Sequence, residues 1–333
     1  MEWYLPVIWA GLIGTAVAMY VVLDGFDLGL GVLFPFAEGE KERDQMMNTV
    51  APFWDGNETW LVLGGGGLWV AFPKAYAVIM PAFYLPVIVM LLALVFRGVA
   101  FEFRWVAGSK WWWNLAFSGG SIVAAFAQGV ILGGLVQGVA IADGQFAGGP
   151  LDWATPFALL TGLGVVCGYA LLGATWLIMK TDGRVQAHAR RVAPGLLLAV
   201  LGFMAMVSLW TPFAVSDIAA RWFSTPNILF LWPVPLLTAG LAFLVWRALH
   251  SHRDMLPFVG SIGLFLLGYA GLAISWFPYL VPPSLTVWDT AAAPSSQMFM
   301  LVGTVFLLPI VLAYTAFVYW IFRGKVREGE GYH

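Results

Sequence analysis

Long apolar runs separated by short polar segments are the dominant pattern of the chain. Apolar stretches fall at positions 5–34, 52–72, 77–96, 115–142, 153–179, 194–213, 228–246, 256–277 and 298–322. A hydrocarbon core of roughly 30 Å takes about 20 helical residues to cross. The pattern therefore predicts an all-α, polytopic membrane protein with nine transmembrane helices. No polar stretch exceeds about 20 residues, and a folded soluble domain needs at least about 50. Residues 1–333 are accordingly expected to form a single membrane-embedded domain. The longest loops are 37–51, 216–227 and 279–297, the last carrying Pro282, Pro283 and Pro294. The span count permits two four-helix bundles and one extra helix.

Composition agrees with this pattern: hydrophobic residues make up 61% of the chain and charged residues 10%, against roughly 45–50% and about 25% in soluble proteins. Basic residues stay on the cytoplasmic side of a membrane. With nine spans, one side holds 14 of the 16 basic residues, and the other only Lys74 and Arg221. That asymmetry predicts a periplasmic N-terminus and a cytoplasmic C-terminus. The first helix starts after Met1, Glu2, Trp3 and Tyr4, with no basic leader or small-residue cleavage site, and is expected to be retained. Topology explains the basic residues, so they do not mark a nucleic-acid surface. Cys167 is the single cysteine and can form neither an internal disulfide nor a thiolate metal site.

Glycines cluster within the spans, as at 64–67, 119–120 and 133–134. No P-loop lysine follows them, and they are expected to let helices pack closely. Many of the 18 tryptophans lie at span ends, where they act as interfacial anchors.

The acidic residues depart from the pattern. In the second span the purely apolar part, 61–72, is only 12 residues long, so the helix crosses only if Asp55 and Glu58 enter the membrane. Their i,i+3 spacing puts them on one helical face, an arrangement suited to holding a proton because two adjacent carboxylates do not both ionise easily in low dielectric. A competing reading puts both in a first helical turn, where they satisfy free amides and the helix dipole. Asp24 and Asp27 repeat the spacing in the first span, about 16 Å and about 12 Å from its cytoplasmic end near Pro35 at about 1.5 Å per residue. Arg97, with Glu102 and Arg104 just beyond, offers counter-charge at the inner end of the third span. All three spans end on the same side, so these charges are expected to converge. Such a cluster suits proton uptake; the alternative is a structural ion-pair network clipping three helices together.

His188, His250, His252 and His333 are all predicted in polar loops or the tail. A buried haem normally takes an axial ligand from within the membrane, most often histidine. Redox cofactors are therefore expected in another subunit, and no metal is expected here.

Four segments carry a resemblance. Gly25-Phe26-Asp27-Leu28-Gly29, the run Pro52-Phe53-Trp54-Asp55-Gly56-Asn57-Glu58-Thr59-Trp60-Leu61, the run 96–104 and the run 169–181 closely resemble subunit II of the cytochrome bd-type quinol oxidases, including the cyanide-insensitive branch. The likeness is specific through the fifth span and rests afterwards on span number and the Pro-rich loop. It implies a bacterial inner-membrane heterodimer that oxidises ubiquinol or menaquinol and reduces dioxygen to water. It places two b-type haems and haem d in subunit I and leaves subunit II haem-free. A small single-span subunit often accompanies such pairs, and some members hold a structural quinone. Asp55 matches the position the family is thought to use for cytoplasmic proton entry; Glu58, Asp27, Arg97 and Glu102 match other motif positions. The expected function is that of a haem-free, scaffolding and proton-conducting subunit, with Asp55, Glu58, Asp27 and Asp24 on the path. A proton-coupled secondary transporter and a purely structural assembly subunit are the alternatives. The transporter lacks the paired broken segments expected of corresponding halves.

Overall fold

The computed structural model describes residues 3–329 and is a bundle of long helices with two small hairpins at one end. The helices are α1 (Leu5–Leu33), α2 (Glu40–Asn48), α3 (Trp54–Ala71), α4 (Pro73–Ala82), α5 (Tyr84–Val106), α6 (Trp111–Gln137), α7 (Pro156–Lys180) and α8 (Gly183–Ala214). They continue with α9 (Ser216–Phe223), α10 (Asn227–Leu231), α11 (Pro233–Leu249), α12 (Met255–Trp276) and α13 (Pro294–Ile321). Among the described residues, eight helical segments are long and apolar enough to cross a membrane, which makes the chain a multi-pass membrane protein. The polar first turns of α3 keep it out of that set. Even so, α3 runs antiparallel along α1: Asn57 hydrogen-bonds the Leu23 carbonyl, and a Cβ on Gly67 would lie 3.1 Å from Ile13.

Most boundaries follow the hydropathy pattern, with two corrections. The apolar run 77–96 is not one helix, because α4 stops at Ala82 and α5 restarts at Tyr84. Pro86 explains the break: it has no N–H to give the Ala82 carbonyl and is tolerated only in a first turn. The run 115–142 is helical only to Gln137, since Gly138 takes φ +89° and turns the chain into hairpin β1 (Ile141–Ala142) and β2 (Gln145–Phe146). The three longest loops carry structure of their own: α2 in 37–51, α9 in 216–227, and hairpin β3 (Tyr279–Val281) with β4 (Leu285–Thr286) in 279–297.

α5 packs on α6, and α1 on α3, α6 and α7. α7 in turn packs on α8 and α12, and α11 on α12. The α1–α7 crossing is backbone to backbone: a Cβ on Gly29 would lie 1.7 Å from the Tyr169 carbonyl oxygen. Not every glycine serves this purpose, for Gly65 and Gly66 have nothing within 4 Å of where a Cβ would sit. α13 lies outside the bundle, with none of its apolar window buried. One end ties it down through Gln297, which donates to the Ala71 carbonyl at 3.0 Å and whose own carbonyl accepts from Trp9. The other end is held by Tyr319, stacked on Phe53 with ring centroids 4.3 Å apart.

Lysines and arginines gather at one end of the bundle. There Lys180 is buried and donates to the carbonyls of Phe322 and Gly324. Lys325 bridges Asp182 at 2.6 Å and Asp254 at 2.7 Å, and Arg190 also pairs with Asp254. Residues 322–326 thus form a strap across the ends of α7, α8 and α12.

A buried carboxylate and arginine site

Arg97 of α5 is fully buried between α1 and α3 and faces three acids. Its Nη2 lies 3.1 Å from Asp24 Oδ1 and 3.9 Å from Asp27 Oδ2, and its Nη1 lies 3.3 Å from Glu58 Oε2. Asp24 and Asp27 are fully buried, and Glu58 keeps 27% of its side chain exposed. Both oxygens of Asp24 and Oδ1 of Asp27 accept no hydrogen bond. A buried charge with unmet hydrogen bonds is costly, so the site holds ionisable groups far from their solvated state.

Neutral groups complete it. Asn57 donates from Nδ2 to Asp27 Oδ2 at 2.8 Å and accepts from the Tyr319 hydroxyl at 2.8 Å. Tyr20 and Tyr169 meet across Gln128 of α6, beside Asp24. Phe26, Phe53 and Phe258 pack their rings against Trp176.

Three expected members lie elsewhere. Asp55 is exposed on the outer face of α3, one turn from Glu58 and outside the Arg97 ion pairs. Glu102 is exposed on α5 and belongs to the ion pairs of neither arginine. Arg104 forms a second cluster rather than joining the first. It is fully buried and donates to Glu40, Asp44 and Asn114, each at 2.6 Å, fastening α2 to the ends of α5 and α6. Burial pushes the Glu40 carboxyl up, but the hydrogen bonds from Arg43 and Asn114 and the charge of Arg104 outweigh it and hold the group below its usual range.

The described histidines stand at the basic end. His250 closes α11, its Nδ1 2.8 Å from the Trp246 carbonyl oxygen. His188, expected in a loop, sits in the first part of α8 and is partly buried. His333 lies outside the described residues. Among the described residues, no group of histidine, cysteine or acidic side chains is arranged to hold a metal ion.

Asn57, Tyr20, Gln128, Tyr169 and Tyr319 were not singled out by the sequence as site residues. Asn57 had a signal, its place inside the motif with Asp55 and Glu58. Tyr20 had one too, standing four residues before Asp24 and so on its helical face.

Comparison with known proteins shows the family of the chain. The family model for cytochrome bd terminal oxidase subunit II matches residues 5–322. The chain is 31% identical to cytochrome bd-I ubiquinol oxidase subunit 2 of Escherichia coli K12, over 98% of this chain and 96% of that one. It is 30% identical to cytochrome bd ubiquinol oxidase subunit 2 of Bacillus subtilis, over 97% of each. The structure of bd oxidase from Geobacillus thermodenitrificans aligns with a TM-score of 0.70 at 19% identity, over 96% of this chain and 98% of that one, and shares the fold.

Proposed function

From the fact that this chain belongs to the cytochrome bd terminal oxidase subunit II family, and is therefore a subunit of a quinol-oxidising oxidoreductase complex with a subunit I partner, we propose that its own part in the reaction is to admit protons. Reducing dioxygen to water consumes protons and electrons in equal number. The electrons come from quinol and pass through haems carried by subunit I; the protons need a route through low-dielectric protein.

The observation that carries this reading is the set of three carboxylates around one guanidinium, with Glu58 partly exposed and the Asp24 and Asp27 side chains fully enclosed. Three acids against one arginine leave surplus negative charge, and protons neutralise it at least cost. Asp55 is the entry group on the outer face of α3. Glu58, one turn further on, passes the proton inward, and Asp27 and Asp24 hold it beside Arg97. Arg104 and its acids clip helices together and take no part; Glu102 has no role here.

The wider setting follows the same reading. α3 is the ninth span, its two acids sunk into the membrane alongside α1. Residues 1–333 form one membrane-embedded domain: α1, α3, α5 and α6 make one four-helix bundle, α7, α8, α11 and α12 a second, and α13 stands apart. The basic end faces the cytoplasm of a bacterial inner membrane. Subunit I holds haem d and two b-type haems, the quinol is ubiquinol or menaquinol, and a small single-span chain accompanies the pair.

Asp55→Asn in the assembled oxidase tests the path. Quinol-dependent oxygen consumption should fall by about 10-fold or more, the scale of a lost positioned proton-transfer group, while the visible spectrum keeps its full haem content. Unchanged turnover removes Asp55 from the route. A large loss of haem assigns it to structure instead.

A further inference from the structure

Asn57 is buried, and its neighbours settle which way its amide faces. Nδ2 meets two acceptors on α1, Asp27 Oδ2 at 2.8 Å and the Leu23 carbonyl oxygen at 3.3 Å. Turning the amide over would set oxygen against both, so Nδ2 takes this side and Oδ1 the other. An amide oxygen only accepts, which commits the single phenolic proton of Tyr319 to it, at 2.8 Å. Tyr319 is placed in turn by its ring, stacked on Phe53. The donors therefore run one way, from α13 through α3 to a carboxylate on α1. This order makes the two oxygens of Asp27 unequal. Oδ2 accepts from Asn57 and has Nη2 of Arg97 3.9 Å away, whereas Oδ1 is buried and accepts no hydrogen bond. A carboxyl group that takes up a proton keeps its carbonyl oxygen where the donors are and carries the hydrogen on the other oxygen.

We infer that Tyr319 and Asn57 are positioning residues for the oxidase: the Tyr319 hydroxyl latches the Asn57 amide, and the amide holds Asp27 so that the proton it takes up sits on Oδ1. The inference rests on the proton-path reading above, in which Asp27 takes up and releases a proton. Neither residue carries a charge, and neither belongs to the ion pairs that Arg97 makes with Asp24, Asp27 and Glu58. Through one hydroxyl, α13, a helix with none of its apolar window buried, reaches the innermost part of the site.

The test uses the intact complex carrying Tyr319→Phe, which keeps the stacked ring and removes one hydroxyl, and separately Asn57→Leu, which keeps the size and removes the amide. The readouts are oxygen consumption, haem content and the infrared difference spectrum between oxidised and reduced enzyme, in which Asp27→Asn identifies the carboxylic-acid C=O band of Asp27 by its disappearance. Asn57→Leu should move that band to higher wavenumber, because the carbonyl oxygen has lost its donor, and slow turnover by about 10-fold, the scale of one hydrogen bond to a charged group. Tyr319→Phe should move the band the same way by less and slow turnover by about 3-fold, the scale of one neutral hydrogen bond. The double variant should go no further than Asn57→Leu alone, because Tyr319 acts through Asn57. All should keep native haem content. An unmoved band overturns the inference, as does an additive double effect, a loss of haem in both single variants, or a spectrum from which Asp27→Asn removes nothing. If Asn57→Leu alone loses haem, the Tyr319→Phe band decides by the same rule. Turnover of Asp27→Asn separates this from the underlying reading. If it is normal, the proton path fails, and a shifted band still locates the proton; if it is slow while neither variant moves the band, only the latch fails.

Discussion

Arg97 holds three acids in place, and removing it would leave them facing one another. Breaking a buried ion pair from one side costs about 3–5 kcal/mol, a large share of the 5–15 kcal/mol that typically stabilises a whole domain. Arg97→Leu should therefore abolish assembly: solubilised membranes should show haem and subunit II lost together, in contrast to the Asp55→Asn phenotype. At this scale the sequence was partly legible. Ionisable residues inside apolar runs announce themselves, and Asp24, Asp27, Glu58 and Arg97 do converge. Helical geometry explains two of the three that do not. Glu102, five residues from Arg97, is turned about 140° away, whereas Arg104 shares the face but lies about 10 Å further along. Gln128 and Tyr319 gave no signal, because one polar group on an apolar helix has no periodicity and acquires meaning only from the helix it touches.

Among the elements, the α1–α7 crossing is the least tolerant of change. A methyl at Gly29 collides with the Tyr169 backbone, so the two helices must part. Gly29→Ala should destabilise the subunit by about 1–3 kcal/mol, the usual cost of overpacking. Gly202→Ala on α8, where a Cβ meets nothing within 4 Å, should be neutral or stabilise by up to about 1 kcal/mol through helix propensity. Thermal denaturation of the purified oxidase, followed by loss of its visible spectrum, distinguishes the two. Hydropathy located the helices but not their interruptions: it does not register a break such as that between Ala82 and Tyr84, which Pro86 imposes through a missing N–H. The contrast between Gly29 and Gly65 was equally hidden, since composition does not say which way a glycine faces.

Across the whole molecule, the basic end is drawn together by the strap of residues 322–326. Burial pushes the Asp254 carboxyl up, but hydrogen bonds from Lys325 and Arg190 and their charges outweigh it and hold the group below its usual range. A depressed carboxylate contributes stability that is complete above its unfolded value and disappears as pH falls through the folded one. The strap should therefore stay protected at neutral pH and loosen below the ordinary carboxylate range. Hydrogen exchange of residues 322–326 across an acid titration reads this directly, and Asp254→Asn should show the loosened behaviour already at neutral pH. The split of basic residues foreshadowed this gathering, though not that Lys180 would be enclosed by it.

Tethered near Gln297 and Tyr319 and bare between them, α13 is the helix this fold surrenders most cheaply. Parting it from the bundle uncovers little that is buried now, so its place depends on the contacts made at its two ends.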